Sequence, residues 1–114
     1  MKRMAVLMAP LVGLTLVCPV AQADPTLTPA DHIYTKYLSE YGVNYQGRVS
    51  LETMIANGHT TCAMLDENPT PATWQAAIGR LVGGQGNFTQ QEAKLTAQAA
   101  VSSYCSGHNN LIYG

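Results

Sequence analysis

Residues 70–82 read TPATWQAAIGRLV, and their spacing decides the fold. Trp74, Ala77, Ile78, Leu81 and Val82 stand at i, i+3, i+4, i+7 and i+8, the rhythm that gathers apolar side chains on one face of an α-helix. Thr70 and Pro71 supply the start: a hydroxyl that can hold a free backbone N–H, then a proline where no N–H is needed. Asn68-Pro69 breaks the chain upstream and Gly83-Gly84-Gln85-Gly86 breaks it downstream.

Working outward, the same period recurs on both sides. Ser50 can cap a second helix whose apolar positions Leu51, Met54, Ile55, Cys62 and Leu65 form one stripe, with Gly58 on that stripe as a point of close contact. Further upstream, Thr28-Pro29-Ala30-Asp31 repeats the cap and proline and adds an acid in the first turn. Ile33, Tyr34, Tyr37, Leu38 and Tyr41 then gather on one face, and Gly42 ends this first helix near Tyr41 as a left-handed cap. Downstream, Thr89-Gln90-Gln91-Glu92 is a capping box that opens a fourth helix with the stripe Ala97, Ala100, Val101, Tyr104 and Cys105, and Gly107 is a natural terminator. No strand-like alternation or internal repeat interrupts the series. The expected fold is all-α: a small bundle of about four amphipathic helices over residues 24–107, followed by a loose tail, 108–114.

The first 23 residues read differently. Lys2-Arg3, an apolar run from Met4 to Val17 and the small-x-small site Ala21-Gln22-Ala23 are the three parts of a secretory signal peptide, with cleavage expected before Asp24. Pro10 and Gly13 interrupt a run already shorter than the ~20 residues of a spanning helix, so no stable membrane anchor is expected after cleavage. Cys18 follows Val17, where a lipid-bearing cysteine would follow a small residue, so it is expected to leave with the leader. The expected location is secreted or at the cell envelope.

Charge excludes one class of partner. The whole chain of 114 residues has a formal charge of −1, and once Lys2 and Arg3 are removed only Lys36, Arg48, Arg80 and Lys94 remain, scattered against seven acidic residues. Phosphate backbones need clustered cations, so nucleic acid is not an expected partner. A mature chain of about 90 residues buries only about 60–65% of its unfolded surface, so a covalent staple would matter.

The cysteines provide one. Cys62 and Cys105 are the pair expected to survive export, and two cysteines in an oxidising compartment most simply join, fastening helix two to helix four. The flanking His59-Thr60-Thr61-Cys62 and Cys105-Ser106-Gly107-His108 also form a mirrored His-x-x-Cys, Cys-x-x-His set, so a zinc site of His59, Cys62, Cys105 and His108 is the alternative. The oxidising compartment, the position of His108 beyond the helix end and the reversed order favour the disulfide. No cofactor is expected.

The remaining candidates read as architecture. His32 lies away from the tyrosine stripe; Ser102, Ser103 and His108 lack any nucleophile elbow; the carboxylates Glu40, Glu52, Asp66, Glu67 and Glu92 suit solvated faces. Gly83-Gly84-Gln85-Gly86 has the glycines of a phosphate loop without its lysine or preceding strand, so it reads as a linker. Asn87-Phe88-Thr89 fits a glycosylation sequon. Tyr34, Tyr37 and Tyr41 share a face, with Tyr45 just beyond the turn; tyrosine buries apolar area while keeping a polar tip, which suits either a core rim or an interaction surface.

Asp31, Tyr37-Leu38 and Gly42-Val43, then Asn57-Gly58 with Cys62 and Leu65-Asp66, and finally Thr89, Ala97, Ala100 and Tyr104-Cys105 together give the chain an outline that resembles the small exported mycobacterial proteins of domain of unknown function 732. The most specific parts are the Gly-x-x-x-Cys of helix two and the Tyr-Cys at the end of helix four. The resemblance implies a signal peptide, a helical fold and paired cysteines, and it brings no catalytic residues. The sequence departs from that outline at Ser106, where such proteins tend to have proline, and in the added Leu111-Ile112-Tyr113. The expected function is a non-catalytic module, a monomer, that binds a protein or small ligand outside the cytoplasm. A small-ligand or metal carrier is the first alternative and a small hydrolase the second.

Overall fold

A computed structural model describes residues 27–113; the expected signal peptide with Cys18 lies outside the described residues. Four helices carry the fold: α1 Pro29–Glu40, α2 Leu51–Glu67, α3 Pro71–Leu81 and α4 Gln90–Tyr104. Each begins where a hydroxyl accepts from a free backbone N–H: Thr28 from Asp31, Ser50 from Thr53, Thr70 from Thr73 and Thr89 from Glu92. At α1 and α4 the acid at the third position reaches back to the cap's own N–H, completing a reciprocal box.

The end of α1 shows how a turn places core residues. Gly42 takes φ +77°, its N–H donates to Ser39 O at 3.1 Å, and the Val43 N–H donates to Leu38 O at 2.9 Å. That pair of bonds closes the last turn and brings buried Val43 back against buried Leu38.

α4 is the central element and packs against α1, α2 and α3. Its buried positions Ala93, Ala97, Ala99 and Ala100 lie around much of its circumference, and their small side chains let three neighbours approach at once. Larger side chains fill the remaining space: Tyr34 and Leu38 from α1, Met54 and Leu65 from α2, Trp74, Ile78 and Leu81 from α3, and Val101 from α4. Cys62 and Cys105 are bonded, with Cα atoms 5.8 Å apart, well inside the span a disulfide bridges.

Several expectations need correction. In place of the loose tail expected over 108–114, the chain makes a 3-10 turn at Ser106–His108 and a fifth helix, α5 Asn109–Tyr113, and Leu111 and Ile112 pack on the core. Ile33, expected on the apolar face of α1, is 45% exposed, because it stands one residue before buried Tyr34, a rotation of about 100° around the helix. Val82 is 39% exposed: it caps α3 in an extended conformation, so helical spacing no longer positions it. Phe88, noted only as the middle of a sequon, is a core residue; its carbonyl accepts from the Gly83 N–H at 3.0 Å and pins the turn between α3 and α4.

Candidate functional site

The N-terminus of α1, the middle of α2 and the C-terminus of α4 meet at a buried polar cluster. Asp31, only 7% exposed, sits in the first turn of α1. One carboxylate oxygen accepts from the Thr28 N–H at 2.9 Å and the other from the Tyr104 hydroxyl at 2.5 Å. The Tyr104 hydroxyl is the main reason the Asp31 carboxyl is held below the usual carboxylate range; burial opposes the shift, and Thr28 adds to it. Burial pushes the Tyr104 phenol up, and the bond to ionised Asp31 pushes it further.

Aromatic rings complete the cluster. Tyr34 lies 5.2 Å from Tyr104 between ring centres, and its hydroxyl donates to Met54 O at 2.9 Å. Burial pushes its phenol up as well. The His59 ring lies 4.2 Å from that of Tyr104, tilted by 37°. Gly58 is what lets α2 approach: a Cβ there would fall 2.8 Å from the Tyr104 ring and 3.2 Å from Tyr34.

The chemical capacity of this cluster is low. A phenol with a raised pKa is a poor acid and a scarcely populated nucleophile near neutrality, and a carboxylate with a depressed pKa is a weak base. The two are matched to hold each other, and the result is a crosslink among three helices.

The histidine and cysteine set does not assemble as a metal site. Both sulfurs are consumed by the disulfide, His59 lies tilted against Tyr104, and His108 Nε2 lies 2.8 Å from Asp66 Oδ1, tying the 3-10 turn to the end of α2. Among the described residues no group of three or more His, Cys, Asp or Glu is arranged to hold a metal ion.

The tyrosine face divides. Tyr34 is wholly buried and leaves the candidate interaction surface, because it points at the α2 and α4 contact. Tyr37 and Tyr41 are half-buried, stacked at 5.7 Å with an angle of 26° between rings, and both lean on the core. Tyr45 is half-buried too, at the edge of a shallow cleft of about 360 Å³ shared with Thr35, Ser39 and Asn44.

Arg48, one of the scattered cations of the sequence, is held on three sides. Its two terminal nitrogens meet the Glu92 oxygens at 3.2 and 2.7 Å, Nε and Nη2 also donate to Asn44 O, and the guanidinium lies 4.8 Å over the Phe88 ring. A pair 44 residues apart in sequence leaves no local signal.

A family model described as "Protein of unknown function (DUF732)" matches residues 30–107. The chain belongs to the DUF732 family. No curated protein and no solved structure matches it. The DUF732 match contains Asp31, Gly58, Tyr104 and both bonded cysteines, so the buried cluster and the covalent staple lie within the part of the chain that carries the family likeness; Leu111 and Ile112 fall beyond it.

Proposed function

We propose that this chain is a non-catalytic binding module that works outside the cytoplasm, at the cell envelope or in the medium, and engages its partner through the aromatic edge of α1. The observation that carries the reading is the stacked Tyr37–Tyr41 pair, half-buried and packed against the core. Aromatic side chains already held in one conformation lose little entropy when a partner covers them, and they present large apolar area with a polar tip. The disulfide supports the location, since such bonds persist in oxidising compartments. The leader-like segment at residues 1–23 supports it too, and among the described residues no helix is long and apolar enough to cross a membrane.

A photoreactive phenylalanine analogue placed at position 37, 41 or 45 in the producing cell tests this. One discrete adduct from these positions, and none from exposed Gln75 on α3, is the expected outcome. Adducts of equal yield from all four positions, or none from the α1 edge, would dismiss that edge as the contact surface.

A further inference from the structure

A second surface, independent of the tyrosine edge, lies where α2, α3 and the turn from α3 to α4 meet. They enclose a cleft of about 370 Å³, near the small end of the range for ligand sites. Its apolar lining is Leu81 and Phe88, both almost wholly buried behind it. Its polar groups are the amides of Asn57 and Gln85 and the guanidinium of Arg80, and no carboxylate lines it.

Among the lysines and arginines of the described residues, Arg80 and Lys94 lack a carboxylate partner, and of these two Arg80 is the one that lines the cleft. Lys36 lies 3.7 Å from Glu40, Arg48 is clamped to Glu92, and His108 is paired with Asp66. Arg80 has no carboxylate partner among the described residues; its one contact is to Asn57 Oδ1, at a long 3.5 Å. A guanidinium carries five N–H donors in a planar fork matched to carboxylate and phosphate, so most of its capacity is unspent. A cation in the last turn of α3 also complements the helix dipole, which accounts for a basic residue there but for neither the cavity beside it nor the missing counter-charge.

The glycine-rich turn gives the cleft a set shape. Gly83 N–H is bonded to Phe88 O, and Asn87 N–H donates to Gly84 O at 2.8 Å. Gly84 and Gly86 form one wall, and a Cβ at Gly86 would fall 2.7 Å from the Phe88 ring, so a side chain there would displace that ring. The Leu81 carbonyl at the negative end of α3 is covered by the Gly84 N–H at 3.2 Å, which lowers its repulsion toward an incoming anion.

We propose that this cleft binds a small ligand bearing a carboxylate or phosphate group, with Arg80 as the forked donor, Asn57 and Gln85 beside it, and Leu81 and Phe88 against the ligand's apolar part.

The test is a titration of the oxidised protein, expressed from the full chain and labelled with ¹⁵N, with sodium acetate and separately with sodium phosphate at constant ionic strength. Saturable shifts at Arg80 Nε–H, Gly84, Gln85 and Gly86 are expected, and the probe that saturates first names the anion class. Arg80→Gln should raise the dissociation constant about tenfold or more, the loss of a charge-assisted bond pair, while Lys94→Gln leaves it unchanged. Asn57→Asp, which sets a carboxylate beside the guanidinium, should weaken binding in the same way and serves should Arg80→Gln fail to fold. Shifts that never saturate, that are equally large around Lys94, or that persist in both variants would overturn the proposal, as would silence at residues 84–86 with both probes.

Discussion

At the scale of the residue, Gly58 and Tyr104 carry the most weight. Gly58→Ala forces a methyl group to 2.8 Å from a packed aromatic ring, and overpacking of this kind costs about 1–3 kcal/mol, read as a lowered urea midpoint at unchanged slope. Tyr104→Phe removes the hydroxyl from a carboxylate that is almost wholly buried and should cost about 1–3 kcal/mol by the same measurement. Its pH signature is specific. Because Asp31 is depressed below its ordinary 3.8, its contribution is fully present above that value and is lost as pH falls through the lower folded-state value. Tyr104→Phe should therefore flatten the acid limb of the stability curve. Tyr34 and Tyr104 are raised above their ordinary 10.0, so their contribution is present below pH 10.0 and is lost as pH rises beyond it; unfolding measured across pH 9–12 should show the loss in the native chain and less of it in Tyr104→Phe. Gly58 was legible as a close-contact point because it sits on an apolar stripe. Its partners were not: Asp31 and Tyr104 are 73 residues apart, and no local pattern encodes a bond of that range.

At the scale of the element, the starts of the helices were legible because each carries its own chemistry, a hydroxyl at the cap and, twice, a proline directly after it. The interior of α4 follows from its alanines, which serve three neighbours. Ala100→Leu adds volume to a fully buried position beside the bonded Cys62 and should cost about 1–3 kcal/mol, whereas the same change at exposed Ala76 should be nearly neutral; thermal unfolding of the two variants checks the contrast. α5 escaped the sequence reading for a physical reason. Five residues offer little more than one turn, so Leu111 and Ile112 cannot display a period, and Gly107 reads as a stop although the chain continues through a 3-10 turn. Phe88 escaped likewise: it lies outside any helix, between Asn87 in a left-handed conformation and the capping Thr89, where neither helical nor strand spacing applies.

At the scale of the whole molecule, the staple closes a separation of 43 residues and joins α2 to the residue that caps α4. In the chain-entropy model a loop of that length is worth about 4 kcal/mol, a large share of the stability of a small domain. Replacing Cys62 and Cys105 together by serine should lower the unfolding midpoint steeply while leaving the helical circular dichroism of the folded state intact. The pairing was legible because cysteine counting left one combination once Cys18 was assigned to the leader. The cleft beside Arg80 was not, since it takes form only when α2 meets the end of α3 and the turn that follows. The account as a whole depends on the chain leaving the cytoplasm and closing that bond. Intact-mass and peptide analysis of the protein recovered from exporting cells, without reductant, tests both at once. A chain beginning at Asp24, lighter by two hydrogens and yielding one linked peptide pair that holds Cys62 and Cys105, is the predicted result; free thiols at both positions, or Cys18 retained and bonded to either, would contradict it.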